Sequence, residues 1–198
     1  MFNLKKFRKL TELQKYITSY FGITNQNMDK ITSLFTESEL KKGKFFTKSG
    51  QYCEKLSFVR SGFIRVFANA NEKEITQWIS TKGYFITDLY SFTFKQRAKW
   101  NIQALTDCEL YTIEKENYAL LNNLVPNWAE MEKQFIASCF VQLEDRVFSH
   151  LSLNAEERYD KLFENNKELF NQVPLQYLAS MLGMSPETFS RIRNKKIS

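Results

Sequence analysis

The sequence predicts an α+β chain: helices first, then an antiparallel β-sandwich or roll, a long helix, and a C-terminal all-α unit. Three observations carry this expectation. Residues 40 to 114 hold short apolar runs rich in Phe, Ile, Val and Tyr, punctuated by Gly43, Gly50, Gly62 and Gly83. Such runs at short intervals read as many strands rather than as helices. Residues 126 to 151 form the longest stretch of apolar side chains at helical spacing. Residues 173 to 198 place two short helical patterns on either side of Gly183.

The N-terminal helices rest on Phe7, Leu10, Leu13, Ile17 and Phe21, which recur every three or four residues before Gly22 stops them. Thr24 is expected to cap a second helix through Met28, Ile31, Leu34 and Phe35, so residues 7 to 36 are read as helical. The clearest strands run from Ser57 to Phe67 and are joined at Ser61-Gly62. Glu74 to Ile79 and Asn101 to Ala104 alternate as strands do, and Glu109 to Ile113 closes the series.

Pro126 opens the long helix. Ile136, Phe140, Leu143, Val147 and Leu151 form one apolar stripe, and Trp128, Met131, Phe135 and Cys139 form a second. One stripe suffices to pack a helix on a sheet; two predict burial on both sides, as at a dimer seam. Glu144, Asp145 and Arg146 are expected on its solvated face. Asn154, with Glu157 three residues on, reads as a capping box opening the next helix. The boundary is therefore expected between Ser149 and Leu153. The division is 1–125 for the N-terminal helices and roll, 126–151 for the dimerisation helix, and 152–198 for the helical unit.

Within residues 173 to 198 the spacing is that of a helix-turn-helix. With Leu175 as first position, Ala179 is fifth, where a small side chain lets two helices approach, and Gly183 is ninth, in the turn. Leu178, Leu182, Met184, Phe189 and Ile192 take the core-facing positions. Ser185 and Pro186 read as N-cap and first residue of the second helix. Glu187, Thr188, Arg191, Arg193 and Asn194 then point away from its apolar stripe, as in a DNA-reading helix.

Composition narrows the function classes. The 198 residues carry a formal net charge of +6, which permits a polyanionic partner without requiring one. No apolar run approaches membrane-spanning length, and the basic start MFNLKKFRKLTEL leads into no apolar block, so neither membrane partner nor secretory signal is expected. Cys53, Cys108 and Cys139 form no C-x-x-C pair, and His150 is the lone histidine. This speaks for buried thiols in a reducing cytoplasm and against a zinc site or a His-based catalytic triad. Gly-rich phosphate loops are absent as well, so no enzymatic activity, metal or cofactor is expected.

The run from Gly50 through Phe58-Val-Arg-Ser-Gly62 to Gly83, followed by WNIQAL, resembles the cyclic-nucleotide-binding β-roll. Joined to the C-terminal helix pair, the chain is similar to the Crp/Fnr family of bacterial transcription regulators from about Leu40 to Ser198. The segments YLASMLG and ETFSRIR match the divergent branch common in Bacteroidetes-type bacteria. The resemblance implies a roll that senses a ligand, a long helix that dimerises through Ile136, Phe140, Leu143 and Val147, and a helix-turn-helix that reads double-stranded DNA. Glu187 and Arg191 match the base-reading positions. Ser185, Thr188, Ser190, Arg193, Asn194, Lys195 and Lys196 suit phosphate contacts or positioning. Pro186 stands where many members carry an arginine, and DNA reading without a β-wing is expected.

The effector pocket departs from the family. Members that bind cyclic AMP supply an Arg-Ser-Ala or Arg-Thr-Ala for the phosphate; here the alignment places Ala98 at that position, with Arg97 one residue early and Lys99 one late. A strand reverses side-chain direction at each step, so both cations are expected to miss the site. Trp100 replaces a small residue. Phe85, Asp88, Tyr90, Arg97, Lys99 and Trp100 are the candidate pocket residues, for an unidentified small-molecule effector rather than cyclic AMP. With no cysteine before Cys53 and no histidine in the roll, iron–sulfur and haem variants are not expected. The expected activity is DNA-binding transcription regulation by a homodimer on a near-palindromic operator, with RNA polymerase as a further partner. The other reading is a β-roll sensor or interaction module that no longer binds specific DNA.

Overall fold

The computed structural model describes residues 11–23 and 27–197. Phe7 and Leu10, expected in the first helix, and Thr24, expected to cap the second, lie outside the described residues. Helix α1 (Glu12–Phe21) begins in a capping box, Thr11 Oγ1 accepting from Gln14 N and Gln14 Oε1 from Thr11 N, and ends at Gly22 with φ 68°. Its buried stripe is Leu13, Ile17 and Phe21. Helix α2 (Met28–Thr32) is shorter than its periodicity predicts. Strand β1 (Thr36–Leu40) captures the chain by pairing Thr36 with Thr112, and Phe35 stacks 5.9 Å from Phe58 instead of continuing the helix.

The remaining strands are β2 (Phe45–Thr47), β3 (Lys55–Ser61), β4 (Ile64–Ala70), β5 (Lys73–Ser80), β6 (Phe85–Ile86), β7 (Asn101–Ala104) and β8 (Cys108–Glu114). They form two four-stranded antiparallel sheets, in the orders β1-β8-β3-β6 and β2-β7-β4-β5. The Ser61-Gly62 junction carries the chain from the first sheet to the second. Gly62 is at φ 92°, and a Cβ there would meet Asp107 O and Cys108 Sγ at 2.6 Å, so only glycine fits. The β4–β5 hairpin turns through Asn71 and Glu72, both at positive φ (49° and 63°), the type I′ geometry that matches strand twist.

Between the sheets lies one apolar cluster that includes Val59, Ile64, Ile86, Ile102 and Leu110. Helix α3 (Leu89–Phe94) interrupts the strands after β6, and helix α4 (Lys115–Leu124), absent from the sequence reading, follows β8. Helix α5 (Trp128–Ser152) rises about 37 Å at 1.5 Å per residue. It packs through Trp128 and Phe135, whose rings lie 4.9 and 4.8 Å from Phe21 of α1. Tyr118 of α4 is buried against Trp128 and donates to Glu132 at 2.9 Å; burial pushes its phenol far up.

Helices α6 (Ala155–Asn165), α7 (Leu169–Gln172), α8 (Leu175–Met181) and α9 (Pro186–Ile197) complete the chain. Asn154 caps α6 in the predicted box with Glu157. Leu178, Ala179 and Phe189 are fully buried, and Gly183 turns between α8 and α9 at φ 67°. The cluster that holds these helices also contains Phe63 and Ile79 of the roll, so the helical unit and the roll share one core.

Candidate nucleic-acid interface and effector groove

On α9 the apolar stripe of Phe189 and Ile192 faces inward, and Glu187, Ser190, Arg191 and Asn194 share the opposite, exposed face at one-turn intervals. Ser185 is the cap: its Oγ accepts from Thr188 N at 3.2 Å and lies 3.3 Å from the Thr188 hydroxyl. The Ser185 hydroxyl, and next the Glu187 backbone N–H, hold the Glu187 carboxyl below the ordinary range, so it stands as a carboxylate acceptor. Arg191 makes no ion pair among the described residues. Arg193 is half-buried on the flank. Lys195 and Lys196 turn back onto α6: Lys195 meets Glu156 at 3.0 Å, and Lys196 meets Asp160 at 2.8 Å and Glu156 at 3.2 Å.

Helix α8 is docked on strand β5. Thr76 N donates to Ser180 Oγ at 2.9 Å, and the same hydroxyl donates to Glu74 O at 3.4 Å. Beside it Arg65, 1% exposed, lies between the rings of Phe67 (4.1 Å) and Tyr177 (3.9 Å). Its Nε donates to Thr76 Oγ1 at 2.9 Å, and its remaining charge meets Glu74 at 2.6 Å. Arg146 and His150 of α5 both approach the Met181 carbonyl, at 3.4 and 3.3 Å. Nothing in the sequence pattern marks these residues, because each contact joins distant segments.

A groove of about 280 Å³ separates the roll from α5. Phe85, Tyr90 and Trp100 line it together with Tyr20, Trp78 and Tyr84, and α5 contributes Cys139, Gln142, Leu143 and Arg146. Burial pushes the Tyr20 phenol up to about 12 and the Cys139 thiol up to about 11.

The three charged candidates stand elsewhere. Asp88 is buried and accepts from Ser91 N (2.9 Å), Lys99 N (2.9 Å) and Trp100 N (3.1 Å), which fastens α3 and the following loop. Arg97 donates to Gly50 O at 2.8 Å and lies over Tyr52. Lys99 lies 4.0 Å from the Tyr90 ring, exposed. Residues 95–100 are a loop and not a strand, so side-chain alternation does not govern them; Ala98 is buried by pairing with Gly50 and Gln51. The groove's cation is Arg146 instead. It does not take the solvated face its neighbours suggest: it lies 5.2 Å from the Trp78 ring, and burial lowers its pKa.

Along α5, Ile136, Phe140, Leu143, Val147 and Leu151 are all exposed, Leu143 at the edge of the groove, while Trp128 and Phe135 of the second stripe are buried and Met131 and Cys139 are half-buried. Among the described residues, no helix is long and apolar enough to cross a membrane, and no group of three His, Cys, Asp or Glu is placed to hold a metal.

Residues 37–121 match the cyclic nucleotide-binding domain family. Among solved structures, FixK2 from Bradyrhizobium japonicum superposes with a TM-score of 0.70 at 15% identity, covering 81% of this chain and 83% of its own. A crp/fnr-family protein from Eubacterium rectale gives 0.67 at 18%, covering 92% and 88%. CLP of Xanthomonas campestris, a c-di-GMP responsive global regulator, gives 0.65 at 17%, covering 85% and 89%. The fold is that of a Crp/Fnr-type regulator. No curated sequence matches the chain. In the Crp/Fnr-type fold the matched segment takes in β1 to β8 with α3 and most of α4, and the groove lies between that segment and α5.

Proposed function

We propose that this Crp/Fnr-type chain is a cytoplasmic, non-enzymatic transcription regulator that binds double-stranded DNA as a homodimer. The exposed face of α9 carries the reading: Glu187, Ser190, Arg191 and Asn194 stand together on the second helix of a helix-turn-helix with a complete apolar core. A guanidinium suits guanine O6 and N7, and a carboxylate accepts from cytosine N4. Arg191 and Glu187 therefore read bases, while Ser185, Thr188, Ser190, Arg193 and Asn194 fix the register on the backbone. Lys195 and Lys196 exchange their exposed carboxylate partners for phosphates, which surface ion pairs permit at small cost.

Dimerisation through the exposed stripe of α5 pairs two such faces about 34 Å apart, on a near-palindromic operator. The regulator's units are the N-terminal helices with the roll (1–125), the dimer helix (126–151) and the reader (152–198), with RNA polymerase a partner when bound. The aromatic groove takes a small effector other than cyclic AMP. Its lining holds a single cation, already stacked on Trp78, where a cyclic phosphate calls for a free guanidinium fork.

Selection of a site from a random duplex library, then Arg191→Ala, tests the reading. Loss of about 1–3 kcal/mol on the selected site with relaxed preference at one base pair is expected. Equal weakening on every sequence makes Arg191 a phosphate anchor only. Failure to select any sequence at physiological salt means that the helix pair is an interaction module without specific DNA binding.

A further inference from the structure

A second cavity, about 490 Å³, lies where the end of α5 meets α6 and α8 under Trp78. Its charge lining is lopsided. Arg146, Arg158 and Lys161 contribute three cations, and Asp145 is the one carboxylate. None of the three cations has a carboxylate within 4 Å among the described residues. Arg146 donates to Met181 O, Arg158 to Leu153 O at 2.8 Å and His150 O at 3.3 Å, and Lys161 to Ser149 Oγ at 2.6 Å. These partners are dipoles, so the charges remain uncompensated. The Arg158 Nε–H is buried with no acceptor among the described residues. Half-buried guanidinium groups left in this state are costly unless an anion joins them.

We propose that this cavity is a ligand site for a small organic anion, whose phosphate or carboxylate head meets Arg158 and Lys161 and whose flat or apolar body lies against Trp78. Guanidinium forks bind such oxyanions in two-point fashion, and a lysine adds a mobile point charge at the mouth. The apolar wall comes from Leu162 and Met181, and the volume falls within the range of small-molecule sites. The site stands on its own cations and does not depend on the DNA reading. It is also coupled to the groove on the other side of Trp78, because Arg146 and Gln142 line both. Since the walls come from α5, α6, α8 and β5, a bound anion ties the helical unit to the roll in the docked arrangement.

The experiment is calorimetric and thermal-shift titration of the full chain with pyrophosphate, ATP and citrate, against chloride at matched ionic strength. Saturable binding at millimolar concentration or tighter is expected for at least one probe, with a matching rise in melting temperature by mass action. Preference for ATP and pyrophosphate over citrate assigns phosphate chemistry, and the reverse order assigns carboxylate chemistry.

Lys161→Gln sits at the exposed mouth and should weaken binding about tenfold or more without loss of fold. Arg158→Lys keeps the charge but loses the fork and should weaken it as well. Lys133→Gln, on the exposed face of α5, should not. Binding no stronger than the ionic-strength control for all three probes overturns the site. So does equal affinity in Lys161→Gln and the parent, which would place the anion elsewhere.

Discussion

Phe140→Ala isolates the proposed seam from the fold. Phe140 is 59% exposed in the single chain, so that share of the ring waits for a partner helix. Complete burial of a phenylalanine side chain stabilises by about 3 kcal/mol, which leaves about 1.8 kcal/mol per protomer to be gained on pairing. A two-fold dimer counts the residue twice. The variant should therefore lose about 3.5 kcal/mol of association free energy, a rise in dimer Kd of about 300-fold. Sedimentation equilibrium over a concentration series measures it. Phe94→Ala is the matched control, since Phe94 is 65% exposed on α3, away from the α5 stripe. Equal dissociation constants for the two variants, or a parent chain that stays monomeric at about 100 μM, would refute the seam.

Three other outcomes follow from named contacts. Arg65→Ala opens the buried sandwich between Phe67 and Tyr177 and should cost about 2–3 kcal/mol in chemical denaturation, below the figure for a fully buried pair because Glu74 is half in water; a change under about 0.5 kcal/mol contradicts that role. Glu12 is held below the ordinary carboxylate range by its hydrogen bond to Lys82 (2.7 Å) and the charges of Lys82 and Arg60. Its folded value being depressed, the stabilisation is present above the ordinary value and disappears as pH falls through the folded one. Glu12→Gln should thus melt lower than the parent at neutral pH and equally in acid, and a gap that widens in acid contradicts the sign. Cys139, pushed up to about 11 by burial, should alkylate about a hundredfold more slowly than an ordinary thiol at neutral pH. A rate that levels off near pH 8.5 in peptide mapping, the plateau of an unperturbed thiol, would contradict the burial effect.

Local chemistry was the legible part of this fold. The Gly22 stop, the Asn154–Glu157 box and the spacing around Gly183 all depend on residues within a few positions of each other. The double stripe on α5 is also legible, but the chain by itself buries only one of the two. What could not be read depends on distant partners. The Thr76–Ser180 bond spans 104 positions, and Arg146 is drawn from the solvated face only because Trp78 and Met181 happen to meet there. Asp88 is a pocket candidate only through the resemblance, which sets it near the family's ribose-binding acid, yet three backbone N–H groups claim its carboxylate. Helix α4 is not legible in the sequence because Lys115–Leu124 is short and half polar, with Tyr118 and Leu121 as its buried residues.

The shared core has a consequence for modular exchange. Phe63 and Ile79 belong by sequence to the roll but complete the apolar interior around Phe189 and Leu178. A graft of residues 152–198 onto another chain's sensor would leave that interior open on one side unless β4 and β5 supplied equivalents, with Arg65 and Thr76 beside them. The unit that can be exchanged whole is therefore larger than the helix-turn-helix, whereas the outer face of α9 can change without disturbing the shared core.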